Sequence, residues 1–148
     1  MNENTPLTES VAKALIINQR NDVLILTIGE HKAQPARSFA PDLPGGLVDP
    51  GETERDAVIR EIYEETGIAI TDEQPRLVYS KTEYSTEHNK SVSKFLYLIF
   101  LDDEPDVVLS WEHASCEWIP LNELKERVDL RPFYNEAVEY CFKIKLLN

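Results

Sequence analysis

Glu61, Glu64 and Glu65 stand at spacings that gather carboxylates on one side of a helix, shortly after the glycine pair Gly45-Gly46 and the turn Asp49-Pro50-Gly51-Glu52. An α-helix turns about 100° per residue, so Glu65 falls about 40° from Glu61 and Glu64 about 60° to the other side. Glu54, two turns back, adds to the same face. Like charges at these spacings cost a helix roughly 0.2–0.5 kcal/mol per pair, which something has to offset. One reading is a solvated face, the usual location of charged helix residues. The other is a site for a hard divalent cation, which takes oxygen ligands and shares them with substrate phosphates.

The full spacing separates the two readings. Gly46, Glu52, Arg60, Glu61, Ile62, Glu64, Glu65, Gly67 and Ile68 follow Gly-x5-Glu-x7-Arg-Glu-Ile-x-Glu-Glu-x-Gly-Ile, and the stretch resembles the box of the Nudix hydrolase family at every specified position. That resemblance implies a hydrolase dependent on Mg²⁺ or Mn²⁺ that cleaves a diphosphate bond in a small nucleoside-diphosphate-linked substrate, with water as nucleophile. It implies Glu61, Glu64 and Glu65 as metal ligands, joined by the Gly45 carbonyl, with Glu52 as an outer metal or water contact. Arg60 is expected to orient a box glutamate, the alternative being a surface pair with Asp56. The general base stays open among the box glutamates, and Glu112, in a loop that relatives bring over the metal, is a further ligand or base candidate.

The resemblance also bears on substrate. Tyr84 lies sixteen residues beyond Ile68, about where relatives that cleave dinucleoside polyphosphates carry a tyrosine. The marks of ADP-ribose- and NADH-cleaving relatives are missing: Pro75 comes too early, and there is no Ser-Gln-Pro-Trp run. Tyr84 or Trp111 is expected to stack on a nucleobase, although Tyr84 is also explained by packing in a strand. An isopentenyl-diphosphate-type isomerase of the same fold would need a cysteine ahead of the box, and none precedes Cys116. A nucleotide-sensing domain without turnover remains the alternative, though such domains usually lose box carboxylates that are all retained here.

The elements that must position these groups are legible in outline. Val11 to Ile17 and Val23 to Ile28 read as two strands joined by a polar turn, so a hairpin is expected to open the fold. Gly29 to Asp42 reads as a surface loop whose His31, Lys32 and Arg37 either meet solvent or meet phosphates, because the loop runs straight into Gly45 and Gly46. Glycine at 45 and 46 permits close approach of main chain to a ligand. Thr53 with Asp56 has the spacing of a helix start, Gly67 suits a helix stop, and Val58, Ile59, Ile62 and Thr66 should face a sheet. Arg76 to Thr82 and Val92 to Leu101 should pair around a polar loop from Glu83 to Asn89. Cys116 to Ile119 with Trp118 packing inward, a short helix beginning at Pro120-Leu121-Asn122-Glu123-Leu124 and a final helix opened by Pro132 complete an α/β (α+β) pattern. The Nudix resemblance implies a mixed central sheet in an α/β/α sandwich.

At 148 residues the chain is expected to form a single domain over residues 1–148, with residues 1–10 frayed. Fifteen basic against 27 acidic residues leave a net charge of −12, which repels nucleic-acid backbone and excludes a basic nucleic-acid groove. A negative protein meets a negative phosphate substrate through a cation between them. Two cysteines without a Cys-x-x-Cys pair, no signal-like start and no membrane-length apolar run predict a cytoplasmic protein with reduced thiols. A homodimer is left open.

Overall fold

The computed structural model describes residues 4–127 and 129–148. Seven strands and three helices follow in the order β1 (Leu7–Ile17), β2 (Asp22–Ile28), β3 (Pro41–Asp42), β4 (Gly45–Leu47), α1 (Glu54–Thr66), β5 (Arg76–Ser85), β6 (Lys90–Phe100), β7 (His113–Pro120), α2 (Leu121–Leu124) and α3 (Pro132–Lys143). A short 3-10 turn, Pro35–Arg37, interrupts the β2–β3 loop.

The strands form one mixed sheet in the order β3-β2-β1-β6-β5, with β4 added to β1 and β7 to β2. β1 and β6 run parallel over their whole lengths, from Leu7↔Lys90 to Ile17↔Phe100, and the other pairings are antiparallel. Residues 7–10 are therefore paired strand, which corrects the expectation of a frayed segment 1–10; residues 1–3 lie outside the described residues. The polar side chains of Thr8, Glu9 and Ser10 mislead because a strand in the body of a sheet is held by its main chain, whatever its side chains.

The opening hairpin is real only at its turn. β1 and β2 meet at Ile17↔Val23 and then part, β4 pairing with β1 at Val11–Lys13 and β3 with β2 at Leu26 and Thr27. Leu43 and Pro44 cross the wedge so formed, and the Ala14 amide donates to the Pro44 carbonyl at 2.9 Å. The glycine pair is thus set into the middle of the sheet.

Side-chain alternation on β1 assigns the two faces. Ala12, Ala14 and Ile16 pack with Leu24, Leu26 and Ile99 under Ala57, Val58 and Ile62 of α1. Leu15 and Ile17 pack with Val23, Ile25, Leu96 and Leu98 under Phe133, Ala137, Val138 and Cys141 of α3. Each fully buried Leu or Ile contributes about 1.5–3 kcal/mol relative to exposure, so the two layers clamp the sheet from both sides. The outcome is the expected sandwich of helices around a mixed sheet.

The β5–β6 hairpin forms, but its strands run on through residues assigned to a loop. β5 continues to Ser85 and β6 starts at Lys90, with Asn89 in the left-handed region (φ 46°) at the turn. Val107 to Leu109 belongs to no strand or helix, and Val108 and Ser110 donate their amides to the Thr66 and Glu65 carbonyls. The loop carrying Trp111 and Glu112 is thereby fastened to the end of α1.

Candidate functional site

α1 is specified at both ends. The Thr53 side chain accepts the Asp56 amide at 3.0 Å, and Gly67 closes the helix in the left-handed region at φ 76°, its amide returning to Tyr63. Ala57, Val58, Ile62 and Thr66 are buried, with Ile59 partly so. The glutamates are not alike in exposure: Glu65 is 4% exposed, Glu61 half-buried and Glu64 out in solvent. The expectation of one common face meeting solvent is corrected here, because the 100° step per residue carries Glu65 past the helix edge toward the sheet.

Arg60 ties the open side of this helix together. Its Nε and Nη2 reach both Glu52 oxygens at 2.7 and 2.8 Å, Nη1 reaches Glu61 at 3.0 Å and Glu64 at 3.1 Å, and Nη2 also donates to the Leu47 carbonyl. Glu52 also accepts the Asp49 amide, and with Arg60 this lowers its carboxyl to about 2. Both Glu52 oxygens are bonded to Arg60 and the residue does not line the cavity described below, so it holds Arg60 in place. Burial pushes the Glu61 carboxyl up, against the pull of Arg60. Gly46 explains itself at this point: a Cβ there would come within 2.7–2.9 Å of the Glu61 carboxylate.

A second cluster lies beneath. Lys13 on β1 donates to both Asp42 oxygens at 3.2 Å, to the Leu43 carbonyl at 3.1 Å and to the Gly45 carbonyl at 3.0 Å. Tyr134 of α3 donates to Asp42 at 2.8 Å, and His113 Nε2 stands 3.5 Å from both Asp42 and Glu65. Glu65 accepts the Gly45 amide at 2.7 Å. Burial works against the Lys13 ammonium, but the Tyr134, Asp42 and Glu65 oxygens outweigh it and keep it charged above the usual lysine range. Burial likewise opposes ionisation of Asp42, yet Lys13, His113 and Tyr134 hold it well below the usual carboxylate range. For Glu65 burial wins, pushing the carboxyl up to about 7 against Lys13, the Gly45 amide and His113.

Both clusters open onto a cavity of about 910 Å³. Glu61, Glu64, Glu65 and Glu112 contribute carboxylates to its lining, with Gly45 and Gly46 between them. The β2–β3 loop contributes His31, Lys32 and Arg37, Trp111 stands 90% exposed at its mouth, and Glu9, Val11, Lys13 and Arg131 also line it. The loops are mutually fixed, the Gly29 amide donating to the Glu112 carbonyl at 2.9 Å. Arg37 bonds Gln34 only weakly at 3.5 Å, and its Nε is buried without a partner among the described residues. Tyr84 does not line the cavity: it sits on β5, two strands out from β1, with its hydroxyl on Asn89 at 2.6 Å. Extension of β5 through the expected loop carries it away, which corrects the stacking role.

The cavity therefore unites Glu61, Glu64, Glu65, Glu112, Gly45, Gly46, Arg37 and Trp111 of the sequence-derived candidates. Lys13, Asp42, His113, Tyr134 and Arg131 were not anticipated. A signal existed for Lys13, a lone charge in the run Val11-Ala12-Lys13-Ala14-Leu15, because a charge inside a buried strand requires a partner. Asp42, His113 and Tyr134 carry no comparable mark, since each is read from separate segments that only the fold unites.

Four carboxylates and a peptide carbonyl are the all-oxygen donor set that Mg²⁺ or Mn²⁺ takes, so these residues fit such an ion. Among the described residues no three acidic, histidine or cysteine side chains already stand in a closed ligand set; Arg60 and Lys13 hold several of the oxygens concerned.

Comparison with known proteins gives a match to the NUDIX domain family across residues 7–141. The chain belongs to the Nudix family. It is 33% identical over 102 residues to a Bacillus subtilis (strain 168) protein named "Uncharacterized Nudix hydrolase YvcI", covering 68% of this chain and 63% of that protein. The chain thus spans under two thirds of that curated relative's length. Among solved Nudix structures, the MutT protein from Methanosarcina mazei Go1 superimposes with a TM-score of 0.79 at 26% identity, over 98% of this chain and 99% of the other. A C. elegans Ap4A hydrolase gives 0.70 at 26% identity, over 93% and 97%. Among the described residues no helix is long and apolar enough to cross a membrane.

Proposed function

We propose that this Nudix chain hydrolyses a diphosphate bond in a small nucleoside-diphosphate-linked substrate, using Mg²⁺ or Mn²⁺ and water as the nucleophile. The observation that carries the reading is the cavity in which Glu61, Glu64, Glu65, Glu112 and the Gly45 main chain meet the cationic loop of His31, Lys32 and Arg37. In this reading Glu61, Glu64, Glu65 and the Gly45 carbonyl hold the cation, and Glu112 joins them or acts as base. A bound cation would polarise a phosphoryl oxygen and make an attacking water more acidic.

The remaining work falls to the chain's own groups. Arg60 holds Glu61 and Glu64 in place at 3.0 and 3.1 Å. His31, Lys32 and Arg37 bind phosphate oxygens and balance charge that grows on the leaving phosphate. Trp111, exposed and amphipathic, stacks on the base without choosing among bases. The carboxylate of Glu112 makes no hydrogen bond or ion pair among the described residues, whereas Glu61, Glu64 and Glu65 each have an oxygen engaged. Glu112 is therefore the carboxylate best able to take the proton of the attacking water. The net charge of −12 argues against stable nucleic-acid binding, and a small diffusible substrate in the cytoplasm fits the same balance.

The test is a panel of nucleoside triphosphates, dinucleoside tetraphosphates and nucleotide sugars with Mg²⁺ or Mn²⁺ in ¹⁸O-water. Turnover with one ¹⁸O in one phosphate product is expected; Glu65→Gln should abolish it, and Glu112→Gln should lower kcat by roughly 10²–10⁴-fold. Tight nucleotide binding with no turnover of any member would replace this reading with that of a sensor domain.

A further inference from the structure

Lys13 has no role in the chemistry above, yet its ammonium is largely buried and fully engaged. An ammonium has three N–H donors, and here they face three acceptors: the Asp42 carboxylate, the Leu43 carbonyl and the Gly45 carbonyl. The Pro44 carbonyl between them is held by the Ala14 amide, and the Gly45 amide is held by Glu65. Every polar main-chain group of the Leu43–Gly45 bridge that faces β1 or α1 is thus tied down. Gly45 packs directly against β1, since at φ 128° a Cβ added there would lie only 2.1 Å from the Ala12 carbonyl oxygen.

We infer that Lys13 is a positioning residue for the cation site, holding the Gly45 carbonyl in place through one lone pair and leaving the other to the metal ion. The inference rests on the proposed function, because it takes the Gly45 carbonyl and Glu65 as ligands. A carbonyl oxygen has two lone pairs, so a hydrogen bond from Lys13 and a bond to a cation are compatible. Asp42 acts as the counter-charge that keeps the ammonium in the sheet, and Tyr134 and His113 hold Asp42 in turn. Outer partners of this kind typically change metal affinity by about 10–100-fold when removed.

The charge of Lys13 complicates the obvious variant. A lone positive charge near the site repels a divalent ion, so Lys13→Met alone combines loss of the clamp with relief of repulsion, and it strands Asp42 in the interior. Lys13→Met/Asp42→Asn removes one charge of each sign, keeps an acceptor for Tyr134 and the Leu43 amide, and so leaves geometry as the variable. The probe is Mn²⁺ alone, with free ion counted by electron paramagnetic resonance, on protein shown folded by circular dichroism well below its thermal midpoint. The wild-type chain should bind Mn²⁺, and the double variant should bind it about tenfold more weakly. A folded double variant with affinity within about threefold of wild type, or tighter, would overturn the role of Lys13 and leave the cation site standing. Absence of Mn²⁺ binding by the wild-type chain would overturn both.

Discussion

At the scale of single residues, the two adjacent glycines answer to different neighbours and should fail differently. At Gly45 a Cβ would meet the Ala12 carbonyl oxygen at 2.1 Å and the Lys13 Cα at 2.7 Å, and the backbone is at φ 128°. Both obstacles are main chain of the central strand, which cannot move aside without opening the sheet. Gly45→Ala should therefore lose more than about 2 kcal/mol of stability, the strained backbone alone costing about 1–3. At Gly46 the obstacle is only the end of the Glu61 side chain, 2.7–2.9 Å away. Glu61 can swing out at little cost in stability, but it then leaves Arg60 and the cavity. Gly46→Ala should keep a urea midpoint near wild type while losing most of its turnover; the two variants, compared by denaturation and by rate, would refute the assignment if their effects were reversed.

At the scale of elements, α1 shows what was readable from the chain and what was not. Its start, its stop and its inward Val58 and Ile62 are local matters of three- and four-residue spacing, and they appear as expected. Thr53→Ala removes one amide partner at the exposed start, so a loss of about 1 kcal/mol in stability is expected with cation affinity unchanged. Affinity falling along with stability would mean that the cap also sets the site. The box itself was legible because its nine positions lie within one stretch, Gly46 to Ile68. Lys13, Asp42, His113 and Tyr134 were not, because they come from β1, β3, β7 and α3 and meet only after those elements pair. Tyr84 misled for a related reason. Distance along the chain from Ile68 is no guide to its place, because an extended β5 carries it two strands from β1. Strand ends are set by pairing with a neighbour, and the polar residues Thr82 to Ser85 pair as well as apolar ones.

At the scale of the whole molecule, a net charge of −12 and a carboxylate buried at Glu65 both oppose the folded state, and a divalent cation bound as proposed would relieve both. The two effects can be separated. Self-repulsion of exposed charge is screened by any salt, with a Debye length of about 10 Å at 0.1 M, so sodium chloride should raise the thermal midpoint modestly. Site binding adds a further term that depends on occupancy: at a hundred times its Kd an ion contributes about 2.7 kcal/mol. In a chain of this size each kcal/mol moves the midpoint by roughly 2–4 °C, so Mg²⁺ should exceed sodium chloride of matched ionic strength by about 5–10 °C. Glu65→Gln is the informative control. It removes a carboxyl whose burial cost is opposed by Lys13, the Gly45 amide and His113, so the variant's midpoint in the absence of metal shifts for reasons unrelated to the ion, which makes absolute midpoints misleading. The increment is what matters: the variant should keep the response to sodium chloride and lose the excess due to Mg²⁺. An equal excess in wild type and variant, followed by scanning calorimetry, would place the ion on the general acidic surface and remove Glu65 from the site.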